Sequence, residues 1–166
     1  MPVFSAAMVR HRYESIMYFM HFNNNTLCRP QGDPQFDRLH KIQPLVNHLN
    51  QKCVHIYTRQ QIICVDQSLI NFSRRLAFNQ FLLSKHARYG VKMYKTCERA
   101  TGYTYKFRIY NVKDSHMEPP RMPRCMGSSG KIVWDLVSSF LHMGYHLYVE
   151  NFYSSVPLFR HLYNLG

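Results

Sequence analysis

Two carboxylates stand where a chain could put them to use. Asp66 interrupts the β-branched apolar run QQIICVDQSLINF, and Glu150 closes the short apolar run Leu147, Tyr148, Val149 just before a helix-like stretch. If those runs are parallel neighbouring strands, both acids open into one crevice, the place where open α/β sheets bind ligands. Two acids in a basic surrounding can hold divalent cations through hard oxygen ligation, and paired cations stabilise the attacking and leaving oxygens of phosphoryl transfer. The chemistry would be nicking or strand transfer of DNA or RNA. The structural alternative is that a lone Asp in a strand and a lone Glu at a turn do no chemistry, which is the commoner case, and spacing by itself favours it.

Other reactive residues form weaker patterns. His142 and His146 are four apart in HMGYH, but Gly144 lies between them, so a shared helical face that could ligate a metal is not expected. Ser154 and Ser155 lack a GxSxG elbow and fit the N-cap of a following helix better. The five cysteines (Cys28, Cys53, Cys64, Cys97, Cys125) are scattered, with no CxxC pair, which argues against a disulfide framework or a zinc knuckle and for reduced, buried thiols.

Charge narrows the class of partner. The 166 residues carry 21 Lys and Arg against 9 Asp and Glu. Residues 71 to 131 hold 13 of the basic and 3 of the acidic residues, a difference of 10 out of the net +12. Such a block suits a polyanion, most simply a nucleic-acid backbone, or else forms a cationic solvated surface. Tyr and Phe interleave with Lys and Arg between residues 89 and 110, a pattern that serves base stacking or plain strand formation. No apolar run approaches the roughly 18 residues of a membrane span, and MPVFSAAMVRHRYES lacks the order of a secretory signal, so an intracellular protein is expected.

The elements that must position the acids follow from periodicity. Residues 5 to 22 place Val9, Tyr13, Ile16, Met17 and Met20 at helical spacing behind Ser5 as N-cap, and predict an amphipathic helix. After the polar loop NNNTLCRPQGDPQ, helical spacing resumes through Leu39, Ile42, Leu45, Val46 and Leu49, with Pro44 early enough to be tolerated or to mark a restart. From residue 60 three strands are predicted: QQIICVDQSLINF, then YGVKMYKTCER and TYKFRIYNV joined across Gly102. A Pro- and Gly-rich link at 117 to 130 leads to KIVWDLVSSFLHMG, whose stripe of Ile132, Val133, Leu136, Val137, Phe140 and Leu141 predicts a helix ending at Gly144. YHLYVEN is a fourth strand and SSVPLFRHLYNL a serine-capped helix. A helix crossing from a hairpin sheet to a further strand implies a mixed sheet, the new strand parallel to the first. The predicted class is therefore α/β, in the order strand, strand, strand, helix, strand, helix, behind an N-terminal helical segment, divided as residues 1–58 and 59–166.

With these blocks in order, the sequence resembles the piggyBac-type transposases and the host proteins derived from them. RHRYESIMYFMHFNNN, DRLHKIQPLVNHLN, ICVDQSLINFSRRLAFNQF, KHARYGVKMYKTCERATGY and SGKIVWDLVSSFLHMGYHLYVENFYSSVPLFRHL carry the likeness over essentially the whole chain. The resemblance implies an incomplete RNase H-like catalytic core using acidic residues to bind Mg2+ for transposition of DNA. It also implies a nuclear location and a homodimer as a possible assembly. Asp66 falls on the family's first catalytic aspartate and metal ligand. Glu150 falls on the second, where the family pattern reads DNFYSS or DNFYTS; the longer side chain displaces the carboxylate by a methylene. Arg74, Arg75, Lys85, Arg88, Lys92, Lys95, Lys106 and Arg108 are the expected DNA contacts.

Further departures from the family pattern are Arg74 and Val112 for glycines and Leu83 for a proline. The family continues beyond the position of Gly166 with a further strand, a third acid and a Cys-rich tail, so strand HLYV is expected to be an uncovered edge and the chain to be marginally stable or to associate. Three functions stand open: a transposase-derived fragment impaired in catalysis, an active DNA transposase or nuclease completed elsewhere, and a domesticated DNA-binding or protein-interaction module.

Overall fold

The computed structural model describes residues 6–58, 60–72, 76–81, 89–111 and 126–165. It divides into two compact units, Met1–Leu49 and Asn50–Gly166.

The first unit is helical. Helix α1 runs Arg10–Phe19, shorter than the predicted 5 to 22 because Val9 and Met20 are both extended. It buries no residue, and the expected apolar face of Val9, Tyr13, Ile16, Met17 and Met20 is exposed. The polar loop closes on itself: Asn24 accepts from the Thr26 amide to cap a 3-10 turn at Asn25–Leu27, and Asn23 Nδ2 donates to the His40 carbonyl at 2.7 Å. Helix α2 spans Gln43–Ile56. Pro44 lies in its first turn, where the missing N–H has no partner to lose.

The second unit is built on a five-stranded sheet. Strand β1 (Ile62–Asn71) runs antiparallel to β3 (Tyr89–Glu98) from Ile63↔Glu98 to Asn71↔Gly90. On the other side of β3 lie β4 (Thr104–Ile109) and the short β2 (Asn79–Phe81). Strand β5 (His146–Val149) pairs with β1 in parallel, from Ile62↔His146 to Val65↔Val149, as the helical crossover requires. The hairpin turns at Gly102, whose φ of 72° is open to a residue without Cβ. Gly90 answers a different need: a Cβ there would lie 2.0 Å from the Ile70 carbonyl oxygen.

Strand alternation sends Ile63, Val65 and Tyr94 to one side, where helix α3 (Ser128–Val137), a 3-10 turn at Ser138–Phe140 and helix α4 (Val156–Tyr163) complete the core. Leu136, Val133, Leu158 and Tyr105 are fully enclosed. Truncating such a leucine to alanine costs about 2–5 kcal/mol. Helix α3 starts before the predicted Lys131 and ends at Val137, well before Gly144. The φ values of His142 (62°) and Gly144 (69°) belong instead to the turn into β5. Ser155 caps α4, its hydroxyl accepting from the Leu158 amide as expected.

The β4 side is closed by polar groups. Asn50 Nδ2 donates to the Phe107 carbonyl at 2.9 Å and the Phe107 amide donates to Asn50 Oδ1 at 2.8 Å, so one side chain pairs with the outer backbone of β4 as a strand would. Glu98, only 1% exposed, accepts from Tyr57 Oη, Tyr105 Oη and the Gln60 amide, each at 3.1 Å, and from the Thr101 hydroxyl. These donors, Thr101 foremost, hold its carboxyl below the usual range against the opposing effect of burial. Tyr57 stacks on Tyr103 at 4.6 Å between ring centroids.

Candidate carboxylate site

The β1–β5 ladder ends at Val65↔Val149, and the next residue on each strand is an acid. Neighbouring strands lie about 4.8 Å apart, so Asp66 and Glu150 leave the ladder side by side at its carboxyl end. Strand β1 continues past Asp66, whereas β5 stops, and Glu150 turns into a 3-10 turn at Asn151–Tyr153. Asp66 is half-buried and its Oδ1 accepts from the Gln67 amide at 2.7 Å. Glu150 is exposed and opens its turn without capping it by its side chain; its carbonyl accepts from the Tyr153 amide at 2.9 Å.

Aromatic rings and the cations Lys92 and Lys95 line this end of the sheet. Tyr153 is fully buried, meets Tyr94 edge-on at 6.1 Å, and its hydroxyl has no hydrogen-bond partner among the described residues. Burial raises its pKa above the ordinary phenol value, with Tyr94, Glu150 and Asp66 adding to the effect. Lys92 Nζ lies over the rings of Tyr94, Phe152 and Tyr110 at 5.0, 5.5 and 5.6 Å. Burial lowers the pKa of Lys92 and the charge of Glu150 opposes that shift. Lys95 stands opposite Asp66 in the β1–β3 register. Burial raises the Cys64 thiol, helped by Cys97 and Asp66 and opposed by Lys95.

The remaining expected residues are distributed differently. Lys106 and Arg108 are tied to Asp135 of α3, with Lys106 Nζ and Arg108 Nη1 each 3.4 Å from its carboxylate, and Lys106 also donates to the Asp135 carbonyl. Arg74, Arg75, Lys85 and Arg88 lie outside the described residues, as do Leu83, Val112 and Cys125. His142 sits in the turn before β5 and His146 begins that strand, so they share no helix. The four described cysteines are free; Cys97 is buried and Cys28, Cys53 and Cys64 are half-buried. Sequence reasoning missed Asp135 and the aromatic surround of Lys92. An acid inside the apolar stripe KIVWDLV was the available signal for the first.

As a cation site, the pair offers hard carboxylate oxygens from two adjacent backbones, the donor type that Mg2+ and Mn2+ prefer. Among the described residues, no group of three or more His, Cys, Asp or Glu is placed to hold a metal ion. Among the same residues no helix is long and apolar enough to cross a membrane.

The family model described as Transposase IS4 matches residues 1–166, and the chain belongs to that family, in its piggyBac-type branch. PiggyBac transposable element-derived protein 3 of Homo sapiens is 27% identical over 165 residues, an alignment covering 98% of this chain and 26% of the human protein. The chain thus spans about a quarter of that relative's length. A cryo-EM structure of a piggyBac transposase synaptic complex with hairpin DNA shares the fold, with a TM-score of 0.74 at 18% identity, covering 93% of this chain and 30% of that one.

Proposed function

We propose that this chain carries part of an RNase H-like transposase core that holds Mg2+ between Asp66 and Glu150, contacts duplex DNA, and is impaired in strand cleavage by the glutamate at position 150. A nuclear location and a homodimer belong to the same reading. The observation that carries it is the parallel register, which ends at Val65↔Val149 and leaves an acid next on each strand. A relative of the same fold was solved with hairpin DNA, and the net charge of +12 suits a phosphate backbone.

Mg2+ bound there would supply charge stabilisation at a phosphoryl oxygen. The chain's own contribution is placement. Asp66, on a short side chain with one oxygen fixed by the Gln67 amide, is a rigid ligand. Glu150 reaches one methylene further from an exposed turn, and a misplacement of the order of an ångström costs about a hundredfold in rate.

The test is Mg2+- or Mn2+-dependent nicking of supercoiled duplex DNA. Glu150→Asp is expected to nick about a hundredfold faster than the parent, and Asp66→Ala to abolish the gain. Equal rates for the parent and Glu150→Asp would remove the glutamate as the cause of impairment. The second reading, a DNA-binding module without chemistry, rests on the concentration of basic residues between 71 and 131. It is favoured if binding falls steeply with salt, survives Asp66→Ala, and no variant nicks.

A further inference from the structure

The fold sorts the aromatic residues that interleave with cations between residues 89 and 110. Tyr94 and Tyr105 lie in the core, Tyr103 stacks on Tyr57, Tyr110 meets Tyr94 edge-on at 6.2 Å, and Phe107 is half-buried. Tyr89 alone among them is exposed, at 59%. Its ring lies beside that of Phe81, itself 47% exposed, with centroids 4.6 Å and planes 40° apart. The two residues are cross-strand partners of the β2–β3 pairing at the edge of the sheet, so their side chains leave the same face.

That face is the one that carries Asp66. Every second residue of β3 after Tyr89 shares it, namely Val91, Met93 and Lys95, and Lys95 is the partner of Asp66 on β1. Those three are half-buried, whereas Ile63, Val65 and Tyr94 on the opposite face are enclosed by the helices. Tyr89 to Lys95 is a run of about 20 Å along the strand, about six base steps of B-DNA. The rings lie within residues 71 to 131, where 13 basic residues stand against 3 acidic ones. A ligand suited to this setting brings a flat apolar surface and negative charge together, as a nucleic-acid strand does. In a closed duplex the base faces are already stacked on one another, so the rings require an unpaired base.

We infer that Phe81 and Tyr89 form a stacking platform for an unpaired nucleobase of DNA, on the face of the sheet that carries Asp66. This deepens the proposed function and rests on its DNA contact, not on metal held by the acid pair. The base stacks on the exposed rings while its neighbouring phosphates meet the basic stretch, and the platform thereby favours opened or frayed DNA over a closed duplex.

The test compares the parent, Phe81→Leu, Tyr89→Leu and Tyr89→Trp for binding to a blunt duplex and to the same duplex carrying one unpaired aminopurine. Affinity is followed by the anisotropy of an end label, and stacking by quenching of the aminopurine fluorescence. Leucine keeps an apolar side chain in the cross-strand pair and removes the ring face, which tryptophan restores. The parent is expected to bind the unpaired-base DNA more tightly than the blunt duplex and to quench the aminopurine. Each leucine variant should lose about tenfold in affinity for the unpaired-base DNA, lose the quenching, and match the parent on the blunt duplex. Tyr89→Trp should keep both signals. A pair that only holds the strands together predicts equal losses on the two DNAs, and that result overturns the inference. Unquenched aminopurine with the parent overturns it too, a measurement that needs no variant to fold. If the parent binds the blunt duplex and the leucine variants bind both DNAs as it does, the inference alone fails. If the parent binds neither DNA, the reading of DNA contact fails and the inference with it. Conversion of a parent dimer into monomer by Tyr89→Leu in sedimentation, with DNA binding unchanged, assigns the rings to a contact between copies and also overturns it.

Discussion

At the β4 edge of the sheet, Asn50 occupies both the amide and the carbonyl of Phe107, while Glu98 gathers four donors beneath the hairpin. At the β5 edge, four residues pair with β1 on one side, Tyr148 is 52% exposed, and the strand runs out into the exposed Glu150. A small apolar cavity of about 60 Å³ lies on this side, lined by Ile63, Phe140, Leu147 and Leu162 among others. The contrast separates two demands. Buried polar groups with every partner in place specify and hold a fold. On the proposed reading, carboxylates that would receive a cation stand at a strand end, Asp66 half-buried with one oxygen held by the Gln67 amide and Glu150 exposed.

The largest effect is expected from the closed edge. Glu98→Ala strands two tyrosine hydroxyls, the Thr101 hydroxyl and the Gln60 amide without an acceptor, and should lower the urea midpoint more than any other substitution named here. Its pH dependence has a definite sign. Folding holds the Glu98 carboxyl below its usual 4.5, so the stabilisation is present above that value and is lost as pH falls through the lower folded value. The parent's urea midpoint should therefore drop on acidification below about pH 4.5, and Glu98→Gln should lack that component. A flat acid profile for the parent would contradict the clamp.

Asn50→Ala comes next, at about 1–3 kcal/mol, because it unpairs a donor and an acceptor of β4; hydrogen exchange at the Phe107 amide should quicken in step. Asp135→Ala is smaller, about 1 kcal/mol, since its ion pairs are partly solvated. It also sharpens the question of the DNA surface: removing the carboxylate that pairs with Lys106 and Arg108 should tighten duplex binding at low salt, and unchanged binding would count against both cations as part of that surface. Tyr148→Lys at the open edge should stay within about 0.5 kcal/mol, and a larger loss would show that the β5 edge bears more of the fold than its exposure suggests.

Much of this arrangement is legible in the chain. The β-branched run around Asp66, the crossover stripe of α3 and the serine cap of α4 fix the order of elements and predict the parallel β1–β5 ladder, because each is a local pattern of spacing or capping chemistry. Strand β2 is not legible: its three residues are held by backbone pairing with Tyr89–Val91, which leaves no period in the sequence. Helix α1 misleads in the other direction, since Val9, Tyr13, Ile16 and Met17 have helical spacing and yet are exposed. The Glu98 clamp was hidden because a charge at the end of a hairpin strand reads as solvated. Its partners Tyr57, Thr101 and Tyr105 come together only in the folded sheet. For the acid pair, the sequence supplies both residues, and the ladder register supplies their adjacency.

The proposed function puts a divalent cation between Asp66 and Glu150 at the open edge. Its most direct test is Mn2+ added in small increments to isotopically labelled protein, with paramagnetic broadening of backbone amide signals followed by nuclear magnetic resonance. Signals of Val65, Asp66 and Gln67 together with those of Val149, Glu150 and Asn151 should broaden first, while those of Thr104 to Ile109 at the closed edge persist. Broadening that begins around Asp135 or Asp33, or that touches only one of the two strand ends, would contradict the account.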